Sequence, residues 1–542
     1  MNRILSTISC TLLLILFKET AAQDTTRKTI EITSSFKPSL RPAEKLRFQA
    51  TPPQPDTTRP RLVYAVPVIN VTPALTPATL TPPALPQMRD SSGAFTNYVK
   101  LGYGNLNTPF VDASFGIATP VSRLQVKIDH ISSNGKIENQ DYSQTSVKGF
   151  GGTTLSENIL LDLHAGYAQN RYNLFGYDRN KFSFQKEQLQ QHFSSFEAGG
   201  ALRNETPTEF GITYRPEITM NIFSDNRKNT ETRLLLRAPV EKIIGKSFRV
   251  KIGVEADLAK LSRHQSTSIQ NSLVQVPVSL SIRKPTWLLH AGLIPSWDNN
   301  AFKLLPDIQF NLPVSGEKWM FQAGWMSYFK KGDYRNLAAI NPFLQTPSAL
   351  QNTRTVERYV GFKGTIPDHL TYSARVGDVE FHQLPLFLND TVSGKSFELF
   401  FEQRIRALQF QGEIGYIKAE RFSASARFNW YKFHGQKTAQ RPWSLIPLEI
   451  SGHIRWTILN DLVLTTDLFL WEGPLYFYRH TGVSGRSPGA VDLNAGLQFR
   501  VTKNISLWSQ FNNVLNSGYQ RWNQYNNYGF NMVLGGIFRF GK

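Results

Sequence analysis

The chain has almost no cysteine, and it has no long hydrophobic run beyond its first residues. Its 542 residues include one cysteine, Cys10. That residue falls in a segment that we expect to be removed, so disulfides, thiolate metal sites and cysteine nucleophiles are excluded from the mature protein. No stretch after residue 22 reaches the roughly 20 apolar residues of a membrane-spanning helix. We expect no metal and no other cofactor.

The first 22 residues have the pattern of a secretory signal peptide. Arg3 precedes an apolar run from Ile4 to Phe17, and small residues precede Gln23. This predicts cleavage between Ala22 and Gln23. Cys10 lies ahead of most of the apolar core, which argues against a lipid anchor.

The sequence also lacks the common signatures of enzymes and of nucleic-acid-binding modules. It has no HExxH, no GxSxG and no phosphate-binding glycine loop. Two serine and histidine pairs stay open as alternatives, Ser451 with His453 and His480 with Ser484. The net charge of +19 is spread along the chain, so we expect no nucleic-acid partner. A cationic lumen, or a rim that faces anionic lipid or substrate, explains this charge better.

Alternation of apolar and polar residues with a period of two dominates the chain from Phe95 onward. In Ser247 to Leu258, apolar residues alternate with charged residues and glycine, which gives a strand with one lipid face and one water face. The last residues, Gly529 to Lys542, repeat the pattern and end on aromatic residues. Strands of this kind predict an all-β, transmembrane antiparallel β-barrel over residues 95–542.

Strand counting gives 22 or 23 segments, and an even number is required if both termini lie in the periplasm. The weakest boundary is Gln403 to Ala407, which has no turn-forming residue. Removing it gives 22 strands, with one long strand from Ser396 to Lys418. The apolar phase of that strand changes near Ala407, and we explain the change by a β-bulge.

Loop lengths then place short and long connections on opposite sides of the membrane. Ile366 to His369, Leu459 to Asp461 and Val501 to Asn504 form short periplasmic turns. Outer loops are predicted at Lys330 to Thr355, Phe381 to Lys395 and Glu472 to Gly489.

Residues 23–94 form a separate, proline-rich region. They contain twelve of the thirty prolines of the chain, which favours an extended conformation over a packed domain. We interpret this region as a periplasmic or lumenal segment. It is a possible docking site for a periplasmic or energy-coupling partner.

The end of the chain resembles the end of TonB-dependent receptors. The resemblance rests on Phe511 to Tyr519, an Asn-rich turn, and on Tyr528 to Phe538, a final strand that contains glycine. Gly535, Phe538 and Phe540 fit the terminal sorting pattern of barrel proteins, which implies recognition by the barrel-assembly machinery. The resemblance also implies receptor or transport activity. However, residues 23–94 are too few and too rich in proline for the folded plug of those receptors.

Two loops supply the candidate ligand-binding residues. The first combines rings with charged groups at Trp471, Glu472, Tyr476, Tyr478, Arg479 and His480. It is either a ligand-binding loop or a loop that folds into the lumen for structural reasons. The second begins the longest outer loop, at Lys330, Lys331 and Arg335, and is either a solvated face or a site for an anionic substrate. We interpret most aromatic residues of the last quarter as interface girdles.

These features predict an integral protein in the outer membrane of a Gram-negative bacterium, in contact with outer-membrane lipid. The leading function is non-enzymatic binding or transport of an unidentified external solute. The alternative is a structural or assembly partner that does not transport, with residues 23–94 in the lumen or docked to periplasmic proteins.

Overall fold

A computed structural model describes residues 97–316, 318–366, 369–419 and 421–541. They form a closed antiparallel β-barrel of 22 strands, as the alternation and the parity of the strands predict. The predicted signal peptide and the proline-rich segment lie outside the described residues. The interpretation of those two regions therefore stays a prediction.

The strands follow one another around the barrel in chain order. Their bounds are β1 (Asn97–Gly104), β2 (Thr108–Ala118), β3 (Ser122–Ser133), β4 (Tyr142–Ser156), β5 (Ile159–Asn173), β6 (Gln190–Asn204), β7 (Ile212–Tyr214 and Glu217–Asp225), β8 (Thr230–Arg237 and Val240–Ile244), β9 (Phe248–Ile252 and Glu255–Ser262), β10 (Ile269–Gln275 and Val278–Lys284), β11 (Trp287–Asp298), β12 (Ala301–Ser315), β13 (Trp319–Lys330), β14 (Thr353–Ile366), β15 (Leu370–Asn389), β16 (Phe397–Lys418), β17 (Phe422–His434), β18 (Leu448–Leu459), β19 (Leu462–Trp471), β20 (Ala490–Arg500), β21 (Ile505–Asn512) and β22 (Asn531–Phe540).

Four neighbouring strands, β7 to β10, are each split into two segments. The breaks fall at Pro216, Pro239, Gly253 and Pro277. Three of the breaks contain a proline, which has no N–H to donate to the ladder, and Gly253 at the fourth break lies against Pro239 and Pro277. The Pro277 carbonyl still accepts from the Gly253 N–H at 2.9 Å, which keeps the wall closed across the breaks.

The barrel closes where β22 pairs with both β1 and β21. Gly535 lies opposite Gly102 of β1 and opposite Trp508 of β21. The Trp508 indole packs over this pair of glycines and donates to the Leu101 carbonyl at 3.1 Å. Glycine is needed at 535 because a Cβ there would overlap the Leu101 carbonyl oxygen.

The two faces of the wall differ as the alternation predicts. On β22, Leu534 and Phe538 are about half exposed and point outward, whereas Val533 and Ile537 are 3% exposed and point inward. The inward residues join a small core with Trp508. The apolar outer face is the surface that lipid covers.

Both termini of the barrel lie at one end, where all the connections are short, and all the long loops lie at the other end. The long connections are 174–189, 331–352, 435–447, 472–489 and 513–530. The described helices are short, α1 (Lys186–Leu189) and α2 (Tyr334–Ile340), and both belong to long loops. No helix among the described residues has the length and hydrophobicity to cross a membrane.

Two predictions about the long-loop end were wrong. No bulge lies near Ala407, because β16 pairs with β15 and β17 without a register shift there. The apolar phase changes because Phe397 and Ile405 point into a core inside the lumen, whereas Phe410 lower on the strand faces lipid. The predicted loop from Phe381 to Lys395 is also shorter, since β15 continues to Asn389.

Candidate functional site

The long-loop end of the lumen is crossed by a hydrophobic core that we call the mouth closure. Its buried residues come from strands on different sides of the barrel and from loops that fold inward, and they are Phe175, Phe193, Phe223, Leu261, Tyr334, Leu337, Ala338, Leu344, Leu350, Phe387, Phe397, Trp522 and Tyr525. A barrel of 22 strands is too wide for wall side chains to fill. The chain therefore closes this mouth with its own loops.

The loop 331–352 is the largest part of the mouth closure, and an ionic network fixes its start. Asp333 caps α2 through the Asn336 N–H at 2.7 Å and pairs with Arg233 at 3.1 Å. Glu231 accepts the backbone N–H groups of Tyr334 and Arg335. Burial raises the pKa of Asp333, although the Arg233 guanidinium opposes this shift. Removing one partner of a buried pair of this kind costs about 3–5 kcal/mol.

The charged run at the start of this loop is not a solvated face. Lys331 is 8% exposed, and its ammonium donates to the Asp257 and Asn271 carbonyls at 2.8 and 2.6 Å. Burial lowers the pKa of Lys331. Arg335 is paired with Glu197 at 2.5 Å, and Lys330 ends β13 opposite Thr353. These groups anchor the mouth closure, which no sequence pattern indicated.

The other edge of the mouth closure is attached to β16 and to the last long loop. The Gln345 N–H donates to the Phe397 carbonyl at 2.8 Å, and the Phe397 N–H donates to the Phe343 carbonyl at 3.0 Å. Phe343 stacks on Tyr525 with ring centroids 3.6 Å apart. A short hairpin, Gln520–Trp522 with Tyr525–Asn526, carries Tyr525 and Trp522 into the core.

Beside the mouth closure lies a group of partly exposed rings and cations, the aromatic rim, formed by Tyr177, Phe182, Phe184, Lys395, Tyr478 and His480. The Phe182 ring stacks on the Phe184 ring, with 6.2 Å between ring centroids. It also meets the His480 ring edge-on, with 5.6 Å between centroids. The Lys395 ammonium lies 3.5 Å from the centre of the Phe184 ring. Burial lowers the pKa of Lys395, with Asp390 opposing the shift. Stacked rings and a partly desolvated cation can bind a flat or anionic group.

Loop 390–396 holds Lys395 in place through one carboxylate. Asp390 accepts the backbone N–H groups of Val392, Ser393, Gly394 and Ser396 at 2.8 to 3.1 Å. These donors keep the pKa of Asp390 below its usual value, although burial opposes them. The sequence offered no signal for this arrangement, because its residues come from separate loops.

The predicted residues 471–480 divide between the interior and the aromatic rim. Trp471 is 5% exposed and packs edge-on against Tyr519 at 4.9 Å. Glu472 is paired with Arg486 at 2.5 Å across a hairpin, Leu475–Tyr478 with Val483–Arg486.

The remaining members of this group lie on or beside that hairpin. Tyr476 stands opposite Gly485. Tyr478 donates to the Ser393 carbonyl at 2.8 Å, and burial raises its pKa. Arg479 is paired with Glu398. The structure therefore brings Tyr478 and His480, but not Trp471, to the aromatic rim.

The girdle interpretation of the C-terminal aromatics was wrong for most tryptophans. Trp443, Trp471, Trp508 and Trp522 are each no more than 6% exposed and pack inside the barrel. Trp456 is 46% exposed and faces outward, as predicted.

The two serine and histidine pairs that the sequence left open are not joined to each other by a hydrogen bond in the described residues. His453 instead contacts Asp467 at 2.7 Å, and His480 contacts the Thr391 carbonyl at 3.2 Å. A further chain, which sequence reasoning missed, links Ser281 to His290 at 2.8 Å and His290 to Asp307 at 3.0 Å. Their strands form a regular ladder, which uses the backbone N–H groups that an oxyanion hole would need.

Comparison with known proteins gives the fold of outer-membrane receptor barrels. The FrpB iron transporter from Neisseria meningitidis superposes with a TM-score of 0.65 and 11% identity, over 82% of this chain and 81% of that one. The ferripyoverdine receptor of the Pseudomonas aeruginosa outer membrane, bound to ferripyoverdine, superposes with a TM-score of 0.62 and 10% identity, over 82% of this chain and 72% of that one. The siderophore receptor PirA from Acinetobacter baumannii superposes with a TM-score of 0.62 and 8% identity, over 82% of this chain and 80% of that one.

Sequence comparison alone does not reach these proteins. No family model matches the chain, and no curated protein matches it. The resemblance to the barrels of TonB-dependent receptors, drawn from the final strand, is confirmed at the level of the fold.

Proposed function

We propose that this protein is an outer-membrane receptor that binds an external solute at the aromatic rim and admits it when the mouth closure moves. One observation carries the proposal. The long loops both fill the lumen at their end of the barrel and expose stacked rings with a cation beside that filling. A general pore needs no such closure, whereas a selective receptor does.

The structural neighbours supply the first solutes to test. They include an iron transporter, a receptor bound to ferripyoverdine and a siderophore receptor. A solute that carries a flat or anionic group would match the rings and the cation of the aromatic rim.

The proposal includes the partners expected from the sequence. The final strand, with Gly535, Phe538 and Phe540, would be recognised by the barrel-assembly machinery in a Gram-negative envelope. An energy-coupling partner would bind within residues 23–94. No catalytic step is assigned, because the Ser281 to Asp307 chain is interpreted as a polar network of the lumen wall.

Uptake by cells that lack the protein tests this function. A deletion strain and its complemented parent are compared for accumulation of radiolabelled iron presented on a panel of siderophores, and for growth on single nutrients. We expect a solute-specific defect that complementation repairs. An envelope-assembly defect without any uptake defect would instead support the structural or assembly role.

Removing the rings of the aromatic rim is expected to weaken solute capture. In Phe182→Ala/Phe184→Ala/His480→Ala, the stacked surface is lost while the mouth closure keeps its own residues. Each lost stacking contact is worth about 0.5–1.5 kcal/mol, so we expect an apparent affinity at least about tenfold weaker. The measurement is concentration-dependent uptake in the complemented deletion strain.

The matched control is Phe210→Ala. Phe210 is 75% exposed and lies in a short connection at the opposite end of the barrel. Unchanged affinity is expected for this variant. Equal losses in the control and in the triple variant would remove the aromatic rim from the proposal.

A further inference from the structure

The hairpin that enters the mouth closure also carries an arginine to a protected position. Arg521 precedes Trp522, and its guanidinium lies 4.2 Å from the centre of the Trp522 ring. The same guanidinium donates through Nη1 to the Ser444 carbonyl at 3.1 Å. Two contacts thus hold Arg521 in one orientation between the hairpin and the loop 435–447.

Three polar atoms at this hairpin are buried without a hydrogen-bond partner among the described residues. They are the Nε of Arg521, the Nε1 of Trp522 and the Oε1 of Gln524. Trp522 is only 4% exposed. The first two atoms are donors, and they belong to side chains that contact each other through the guanidinium and the indole ring.

The acid that interacts with this cation does not form an ion pair with it. Glu449, near the start of β18, interacts electrostatically with Arg521 and with Arg427. No ion pair within 4.0 Å joins Glu449 to Arg521 in the described part of the chain. Burial lowers the pKa of Arg521 to about 10, and it stays charged at neutral pH.

Buried donors are almost always satisfied in folded proteins, by protein atoms, water or a ligand. A charged donor beside a neutral donor is best matched by an anionic oxygen pair, because charge-assisted hydrogen bonds are the stronger ones. The free amide oxygen of Gln524 accepts a hydrogen bond, which suits a ligand that carries its own O–H or N–H next to the anion.

We propose that Arg521, Trp522 and Gln524 form a binding site for a small hydroxy- or amino-carboxylate at the mouth closure. The carboxylate accepts from Arg521 and Trp522, and the neighbouring hydroxyl or amine donates to Gln524. The site rests on the proposed receptor function, since it adds a carboxylate-recognising group to the mouth closure, to which Trp522 belongs.

Binding of glycolate to the purified full chain tests the site, with glycolamide as the neutral probe of equal size. Saturation-transfer NMR should detect glycolate and not glycolamide. Arg521→Gln should weaken glycolate binding by about tenfold or more, the effect of one hydrogen bond to a charged group. Arg500→Gln is the matched control, because Arg500 is paired with Asp461 at the opposite end of the barrel.

Trp522→Phe keeps the ring and removes only its N–H, so it tests the site even if Arg521→Gln does not fold. A several-fold loss of glycolate binding is expected. Equal binding of glycolate and glycolamide, no binding of either, or an equal loss in Arg500→Gln would overturn the proposal and assign these atoms to buried water. The binding experiment does not depend on uptake. If glycolate binds as expected but the deletion strain shows no uptake defect, only the proposed receptor function is contradicted.

Discussion

Gly535→Ala is expected to prevent the barrel from closing. The new Cβ would overlap the Leu101 carbonyl oxygen and would press on the Gly102 Cα and the Trp508 indole. Because the overlapped atom belongs to the paired backbone of β1, relief requires separation of β1 and β22. We expect a cost of about 1–3 kcal/mol and a several-fold fall in folded yield. Heat-modifiable electrophoretic mobility of the outer-membrane fraction measures the folded form.

The neighbouring position supplies the control. Gly536 is in the same strand and faces outward, and a Cβ there meets no atom within 4 Å. Gly536→Ala should fold like the parent. Equal folding of both variants would contradict the role assigned to the seam between β1 and β22.

Excision of residues 333–350 from loop 331–352 is expected to open a pore. Gly332 and Gln351 approach each other closely across the base of the loop, and Lys330 pairs with Thr353 just below them. Replacing residues 333–350 by Asn-Gly therefore leaves a hairpin that continues β13 and β14. It removes Tyr334, Leu337, Leu344 and Leu350 from the mouth closure. We expect planar-bilayer conductance to rise about tenfold or more, as for a wide barrel that has lost its plug.

The comparison needs two further proteins. Shortening the exposed hairpin tip, by replacing residues 479–482 with Asn-Gly, should leave the conductance low because this tip lies outside the core. The excised form should also be measured without residues 23–94, which separates loop closure from occlusion by that segment. Low conductance of the excised form both with and without residues 23–94 would contradict the closure.

The wall of the barrel was predictable because the alternation of apolar and polar residues along a strand reflects the different environments on its two faces. Alternation gave 22 or 23 segments, and the even number required by two periplasmic termini then fixed the number of strands at 22. The interpretation failed at Ala407 because Phe397 and Ile405 obey the same alternation but face an apolar core inside the lumen. A period of two indicates that one face is apolar, but it does not say whether that face meets lipid or protein.

The site was much less predictable, because inward-folded loops build it from distant parts of the chain. Lys331 and Asp333 look like a solvated charge run in the sequence. Their partners lie on distant strands, Asp257 74 residues before Lys331 and Arg233 100 residues before Asp333. Tyr478 and His480 were found from local composition. Their neighbours Phe182 and Lys395 carry no local signal that would connect them.

Uptake by a protein whose mouth closure can be locked tests the account most directly. Leu344 of loop 331–352 and Phe397 at the start of β16 form a parallel backbone bridge, so Leu344→Cys/Phe397→Cys places two cysteines directly opposite each other, at about the 4.8 Å spacing of paired strands and within reach of a disulfide. The predicted mature chain contains no other cysteine. With the disulfide verified by mass spectrometry and each single cysteine variant as a control, we predict that oxidation lowers solute uptake to the level of the deletion strain and that a reductant restores it. Equal uptake by the oxidised and reduced forms would contradict a closure that must move.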